Sequence, residues 1–400
     1  MTLLTHAFFD SLKTSILDTD SAESLPPACY TSEEFFAFEK EAIFAREWLC
    51  VGRTDWVKNP GDYFVAEHIE EPIIIVKTRD GKLQAMSAVC QHRGMHVASG
   101  RGNTRSFTCP YHHWTYSLTG ELVVAPAMEK ACDFDKGNHP LPKLGVCEWQ
   151  GFIFVNFDAN AEPIDLRLGS VNAIVERYGM AELTGPRPEG AKPYAWNWKV
   201  MFENNNDGYH ANRLHQGALH DIIPSHLSSF PELPENSAGY YRFNGATHID
   251  PGLNATLKAV FPIFPQLTEA DRHRVVFVNL PPSLSLVIMP DMIIYQILHA
   301  GTANKHDLTM GILVTPQAQH NPLFELQLKM SEDAVSEIVA QDLDVDIKVQ
   351  NGLKSRFAPR GRYSWQEGAQ RQFNQWLVHR YWQEARFGVT TAGAVMLPGE

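Results

Sequence analysis

The sequence predicts an α+β fold, with a small all-β domain ahead of a larger domain that mixes helices with long strands. Three observations carry that prediction. From Val51 to Asp158 the chain is a succession of short apolar runs broken by turn residues. From about Ala159 helical periodicity takes over, interspersed with longer strand runs. Capping signals open a helix near each end. Four hundred residues are ample for two buried cores.

The elements follow in order. Thr31-Ser32-Glu33-Glu34 reads as a capping box, opening a helix through about Trp48 with Phe35, Phe38, Ala42 and Ile43 on one side. Strands are expected over Pro72 to Lys77, Leu83 to Val89, Arg105 to Cys109, Trp114 to Ser117, Glu121 to Ala125 and Gly151 to Phe157, with Thr119-Gly120 as a hairpin turn. In the larger part, Arg274 to Leu280, Leu284 to Met289 and Met292 to Ala300 read as strands. Ser364-Trp365-Gln366-Glu367 is a second capping box, leading a helix with Phe373, Trp376, Leu377 and Tyr381 inward. Neither an internal repeat nor a low-complexity linker interrupts the chain.

Composition narrows the function. Charged residues make up 20% and hydrophobic ones 44%, an ordinary globular balance. A formal charge of −12 and the lack of a basic stripe argue against nucleic acid. No apolar run approaches a membrane span, and Met1 to Asp20 lacks a basic region followed by an apolar stretch, so a cytoplasmic protein is expected. Cys29, Cys50, Cys132 and Cys147 are scattered, and a cytosolic chain of this size needs no disulfide.

The remaining two cysteines belong to a motif. Cys90-Gln91-His92 is followed, after sixteen residues, by Cys109-Pro110-Tyr111-His112. Each half offers one thiolate and one imidazole, the donor set of a Rieske [2Fe–2S] centre, in which cysteines hold one iron and histidines the other. A tetrahedral Cys₂His₂ zinc site is the competing reading, although zinc fingers usually pair Cys with Cys and His with His. Gly94, Gly100 and Gly102 allow tight bends between the halves, and Pro110 fixes the backbone beside Cys109. Met95 and Tyr111 stand where a respiratory Rieske protein carries its extra cysteines, so no bridging disulfide is expected. Arg93, Arg101 and Arg105 read as solvated arginines or as a landing patch for an acidic electron donor.

A second constellation lies in Glu203-Asn204-Asn205-Asn206-Asp207-Gly208-Tyr209-His210, followed by His215. Two histidines and a carboxylate with open positions make the facial triad of non-haem Fe(II) enzymes. On a regular helix His210 and His215 point about 140° apart. Both can face one metal only where the helix is irregular, as Gly208 and Gly217 allow, whereas Asp207 and His210 share a face. The alternative is a polar helix with satisfied core histidines. His96, His113, His220 and His226 match no ligand position, and Asn204 is a candidate hydrogen-bonding group at the iron pocket.

With both motifs in one chain, the sequence resembles the catalytic α subunits of Rieske non-haem iron oxygenases. The resemblance implies a Rieske domain inserted near the N-terminus of a larger helix-grip (START-like) catalytic domain with an antiparallel sheet. Residues 1–47 would join the catalytic domain, 48–158 would form the Rieske domain and 159–400 the mononuclear-iron domain. It implies that Cys90 and Cys109 bind one cluster iron and His92 and His112 the other, with His210 and His215 on the mononuclear iron. Asp207 would accept hydrogen bonds from His210 and from His112 of a neighbouring subunit, bridging electron transfer in a ring-shaped trimer.

The resemblance also implies a third ligand about two helical turns before the Gln of a Gln-x-Gly-Leu segment. Gln350-Asn351-Gly352-Leu353 therefore selects Asp342, with Asp344 and Asp346 as rivals. The implied activity is oxygenation: O₂ and electrons from NAD(P)H, passed by a reductase and in some cases a ferredoxin, hydroxylate a substrate. A β subunit accompanies some members. The Glu-Asn-x-x-Asp-x-Tyr-His pattern is similar to that of subunits acting on aromatic carboxylic acids, so an aromatic acid is the expected substrate. Oxidation or demethylation of a quaternary ammonium compound is the alternative. A non-catalytic Rieske electron carrier or redox sensor is the reading from another class, and Asp207 with the histidine pair argues against it. The aromatic group Phe230, Tyr240, Tyr241, Phe243, Phe261 and Phe264 is expected to be core, with one or two members lining a cavity.

Overall fold

The computed structural model describes residues 2–217, 219–232, 234, 237–253 and 258–388. The fold is α+β, and the chain divides into two compact units. One runs from Ala45 to Leu166; the other combines the residues up to Phe44 with those from Arg167 onward.

The smaller unit is a strand assembly. Its strands are β1 (Leu49–Arg53), β2 (Asp62–His68), β3 (Glu71–Lys77), β4 (Leu83–Ser87), β5 (Arg101–Asn103), β6 (Phe107–Thr108), β7 (Thr115–Tyr116), β8 (Leu122–Val124), β9 (Lys143–Trp149) and β10 (Phe152–Asn156). A seven-stranded sheet runs in the order β1-β10-β9-β4-β3-β2-β5, and β6-β7-β8 form a separate three-stranded sheet. The run Ile73-Ile74-Ile75-Val76 is buried on both faces of β3, as a continuous apolar strand should be. The Thr119-Gly120 turn closes as expected: Ser117 N–H donates to Glu121 O at 2.8 Å, and Gly120 takes φ +85°. β2 and β9 escaped the sequence reading because polar residues break their apolar pattern, and β5 is exposed throughout.

The larger unit is built on a second seven-stranded antiparallel sheet. Its strands are β11 (Lys192–Tyr194), β12 (Ser228–Ser229), β13 (Tyr240–Gly245), β14 (Arg274–Leu280), β15 (Leu284–Ile288), β16 (Ile293–Thr302) and β17 (Lys305–Leu313), in the order β11-β17-β16-β15-β14-β13-β12. Register carries one row of facing residues across four strands: Arg242 opposite Phe277, Phe277 opposite Val287, Val287 opposite Ile294. The 30-residue helix Phe324–Leu353 and the helix Gly368–Gly388 belong to the same unit. Phe373, Trp376, Leu377 and Tyr381 are buried on the latter, and the Ser364–Glu367 capping box forms as expected.

The N-terminal helix differs from expectation at both ends. Ser32, not Thr31, is the cap, its hydroxyl accepting from Phe35 N–H at 3.2 Å, while Glu34 binds Leu3 N–H. The helix proper is Glu33–Glu39, widens to a π turn over Lys40–Phe44 and stops there, because Leu49 begins β1. A fully buried polar knot fastens it to the rest of its unit. Lys199 Nζ lies 2.8 and 2.9 Å from the two oxygens of Glu39, which also accept from Trp198 Nε1 and the Tyr381 hydroxyl.

No disulfide joins any two of the six cysteines. Among the described residues no helix is long and apolar enough to cross a membrane.

Candidate metal centres and substrate cavity

Cys90 and Cys109 sit on two loops with the same backbone plan. Cys90 N–H donates to Met95 O at 2.8 Å and Gly94 N–H to Cys90 O at 3.0 Å. Cys109 N–H donates to Trp114 O at 2.8 Å and His113 N–H to Cys109 O at 3.0 Å. Each loop turns at the fourth residue after its cysteine, where φ is +77° at Gly94 and +58° at His113. Glycine takes that conformation without penalty and histidine at a cost. His113 occupies that turn and stays exposed.

The thiols are buried, while the imidazoles of His92 and His112 are half-buried. His92 Nδ1 and His112 Nδ1 lie 3.1 Å apart with the rings edge to face. Two nitrogens on one tetrahedral metal, each about 2.1 Å away, would stand roughly 3.4 Å apart, so the pair suits a single ion. Stacking on Trp114 holds the His92 ring. Burial lowers the His92 pKa, and the neighbouring His112 and Arg93 lower it further; the neutral imidazole that ligation requires is thereby favoured. The Tyr116 hydroxyl accepts from Gln91 N–H at 3.0 Å and lies 3.3 Å from Cys90 Sγ, so its own proton is available to the sulfur.

In the larger unit the helix Trp198–Asn206 breaks at Asp207, whose φ of −84° and ψ of 99° are not helical. The short helix that follows, Gly208–Ala211, ends before His215, so the 140° separation of a regular helix does not apply to the pair. Asp207 caps the short helix Gly208–Ala211, its Oδ1 accepting from Tyr209 N–H at 2.6 Å and His210 N–H at 3.3 Å. Its Oδ2 lies 3.2 Å from His210 Nδ1, which leaves His210 Nε2 for a metal. Gln341 does the same for the second histidine: its Oε1 accepts from His215 Nδ1 at 2.7 Å.

Three donor atoms then converge. His210 Nε2 and His215 Nε2 are 3.1 Å apart, and Asp342 Oδ1 lies 3.0 Å from His215 Nε2 and 3.6 Å from His210 Nε2. Right-angled donors at about 2.1 Å from one ion would be separated by roughly 3.0 Å. The triangle thus fits one face of an octahedron, and among the described residues these three form a group that could hold a metal ion. Asp344 is exposed and ion-paired with Lys348. Asp346 is buried; burial first, and then the Asp342 charge, push its pKa up to about 8. Asn204 Nδ2 donates to both Asp342 and Asp346, at 3.2 and 3.3 Å. His220 and His226 stay outside the group.

These donors border a cavity of about 130 Å³. The engineered cavity that takes up benzene is roughly 150 Å³, so the space suits a small molecule. The row Phe277, Val287 and Ile294 lines it, with Tyr194 and Trp196 as further aromatic members. None of Phe230, Tyr240, Tyr241, Phe243, Phe261 and Phe264 is among the lining residues; Tyr240, Tyr241, Phe261 and Phe264 are buried elsewhere. The sequence reading looked to the densest aromatic stretch, whereas strand register selects Phe277. It also passed over Gln341 and Arg242; a charged residue between Tyr241 and Phe243 was the signal for the latter.

Residues 175–383 match the family described as "Ring hydroxylating alpha subunit (catalytic domain)", and residues 47–144 match the Rieske [2Fe-2S] domain. The chain is a Rieske oxygenase α subunit by family. A [2Fe–2S] cluster and a mononuclear iron are the cofactors of such subunits, and the two donor sets described above fit them. The carnitine monooxygenase oxygenase subunit of Acinetobacter baumannii is 36% identical over 200 residues, 50% of this chain and 54% of that protein. The benzene 1,2-dioxygenase α subunit of Pseudomonas putida is 32% identical over 249 residues, 59% of this chain and 55% of that protein. The chain thus spans about half the length of these curated relatives. A solved quaternary ammonium Rieske monooxygenase, described for carnitine oxidation and inter-subunit electron transfer, superposes with TM-score 0.77 at 26% identity. That superposition covers 91% of this Rieske oxygenase subunit and 96% of the solved chain.

Proposed function

We propose that this chain is the terminal oxygenase of a system that oxidises a quaternary ammonium compound. Electrons would come from NAD(P)H through a reductase, with or without a ferredoxin, and the subunits would work as a homotrimer, with or without a β subunit. The observation that carries the reading is the His210–His215–Asp342 triangle opening onto a mostly apolar cavity. A bare electron carrier needs no such site. The names of similar proteins favour quaternary ammonium over the aromatic acid to which the Glu203–His210 pattern points. The aromatic rings of Tyr194 and Trp196 in the lining give a cationic nitrogen surfaces to lie against.

When bound, the iron supplies O₂ binding and reduction and the cluster supplies electrons; one oxygen atom would enter a C–H bond and the other leave as water. The protein's own contributions are positional. Asp207 and Gln341 hold the two imidazoles with Nε2 inward. Asn204 keeps the Asp342 carboxylate in place, and the apolar row excludes water from the reacting carbon.

Iron analysis and turnover test this together. Wild-type protein should carry about three irons per chain and consume O₂ with a betaine or carnitine when given reductase and NAD(P)H. Asp342→Ala should lose about one of those irons and all turnover while keeping the cluster spectrum. Two irons per chain in the wild type would return the chain to the electron-carrier class.

A further inference from the structure

The cavity wall holds one group that metal binding does not use. Arg242 projects from β13 and is buried, 4% exposed, yet it lines the cavity. Its guanidinium carbon stands 3.6 Å from the centroid of Phe277, its cross-strand partner. Nη1 donates to Asn244 Oδ1 at 3.0 Å and Nη2 to the Asn205 carbonyl at 3.4 Å, while Nε has no partner. Among the described residues no carboxylate pairs with it, and it is the only arginine or lysine among the lining residues. A Cβ built on Gly208 would lie 3.7 Å from Nη1, so the cation sits beside the Asp207–Gly208 corner that positions His210.

A buried cation without a counter-ion is costly and is normally paired. Burial lowers the Arg242 pKa to about 10, with Asp207 acting the other way, so the group remains charged at neutral pH. Two neutral acceptors and an aromatic face hold it in place but do not neutralise it. Two other side-chain atoms of the lining residues lack a partner, Trp196 Nε1 and His306 Nε2; the indole N–H is a neutral donor without charge, and the imidazole nitrogen offers an anion nothing. His306 Nδ1 pairs with the Trp196 carbonyl at 3.0 Å, which makes Nε2 an acceptor. Arg242 would also repel a substrate that is only a cation, and it gives a plain hydrocarbon no compensation.

We infer that the substrate carries a carboxylate, and that Arg242 binds it inside the cavity and so fixes which carbon faces the His210–His215–Asp342 triangle. The substrate is then a zwitterion, an ammonium with an acid group in one small molecule, rather than a choline-like cation. This rests on the reading of the cavity as the oxygenase's substrate site.

Paired ligands on the metal-loaded enzyme test it by calorimetry. Glycine betaine and carnitine carry the carboxylate; choline has the same trimethylammonium with a hydroxyl instead; benzoate and benzyl alcohol form the aromatic pair. Within whichever pair binds, the carboxylate member should bind about tenfold or more tightly, the value of a charge-assisted hydrogen bond. Arg242→Gln should erase that preference and Arg242→Lys should restore part of it, with cluster absorbance and melting temperature as checks on folding. If Arg242→Gln does not fold, the wild-type pairs still decide. Equal binding of choline and glycine betaine overturns the carboxylate inference and leaves the quaternary ammonium reading standing. Binding of benzoate through Arg242, with neither betaine nor carnitine bound, keeps the inference and overturns that reading.

Discussion

Gln341 and Tyr116 each touch a proposed metal ligand through one hydrogen bond, and each bond has a measurable consequence. Burial lowers the His215 pKa, but the bonds to Asp342 and Gln341 outweigh it and leave the ring above its ordinary value. A metal must displace that proton, so Fe(II) affinity should fall as the pH drops through the raised pKa. Gln341→Leu removes one of the bonds that raise it and frees the ring to rotate. We expect roughly ten- to hundredfold weaker Fe(II) binding at neutral pH, with the acid-side loss displaced to lower pH, in anaerobic titrations at several pH values. Tyr116→Phe removes the proton offered to Cys90 Sγ. That bond favours the reduced, more negative cluster by about 1 kcal/mol, so the potential should drop on the order of 40 mV in a redox titration. An unchanged potential would mean that the hydroxyl proton points elsewhere.

The knot around Glu39 sets the strongest test among the secondary-structure elements. Lys199 comes from the helix that ends at Asp207, Tyr381 from the C-terminal helix and Glu39 from the N-terminal one. Lys199→Met would leave the Glu39 carboxylate buried without its cation, at a cost of about 3–5 kcal/mol. Urea unfolding followed by tryptophan emission should shift by that amount, while the cluster's visible absorption reports the strand unit separately. Glu39→Leu in the same chain should recover most of the loss. None of this was legible in the sequence, because residues 39, 199 and 381 share no spacing. What was legible rests on local chemistry. The Cys90–His112 motif, the Ser364 box and the strands over Arg274–Ala300 declare themselves within a few residues. The spacing of the family segment related Asp342 to Gln350, and the bond that Asn197 N–H donates to Gln350 Oε1 shows why that glutamine sits where it does. Gln341 and Arg242 stayed hidden because their roles depend on contacts with His215 and Phe277, which only the tertiary fold supplies.

We propose that Asp207 links His210 to a neighbouring subunit. Its side chain both caps the helix carrying His210 and accepts from His210 Nδ1. Asparagine caps a helix as well as aspartate does, so Asp207→Asn should keep the local fold and both metals while replacing the carboxylate at Nδ1 by an amide. If Asp207 also reaches His112 of a neighbouring subunit, as the family resemblance implies, the variant should slow single-turnover oxidation by about an order of magnitude or more. The direction of the path can be tested by mixing. Cys109→Ser subunits lack a cluster but have an intact Asp207; Asp207→Asn subunits have a cluster but lack the bridge. With a path confined to one chain, no subunit of either kind is complete, and mixed trimers do no better than the homotrimers they are made from. With a path that crosses chains in a head-to-tail ring, each Asp207→Asn subunit feeding a Cys109→Ser neighbour makes a working junction, about a quarter of all junctions after random assembly. Doubly tagged mixed trimers should therefore regain activity that a mixture of preassembled homotrimers lacks. Mixed trimers with every mononuclear site loaded, a cluster in every Asp207→Asn subunit and no such gain would place electron transfer within a single chain.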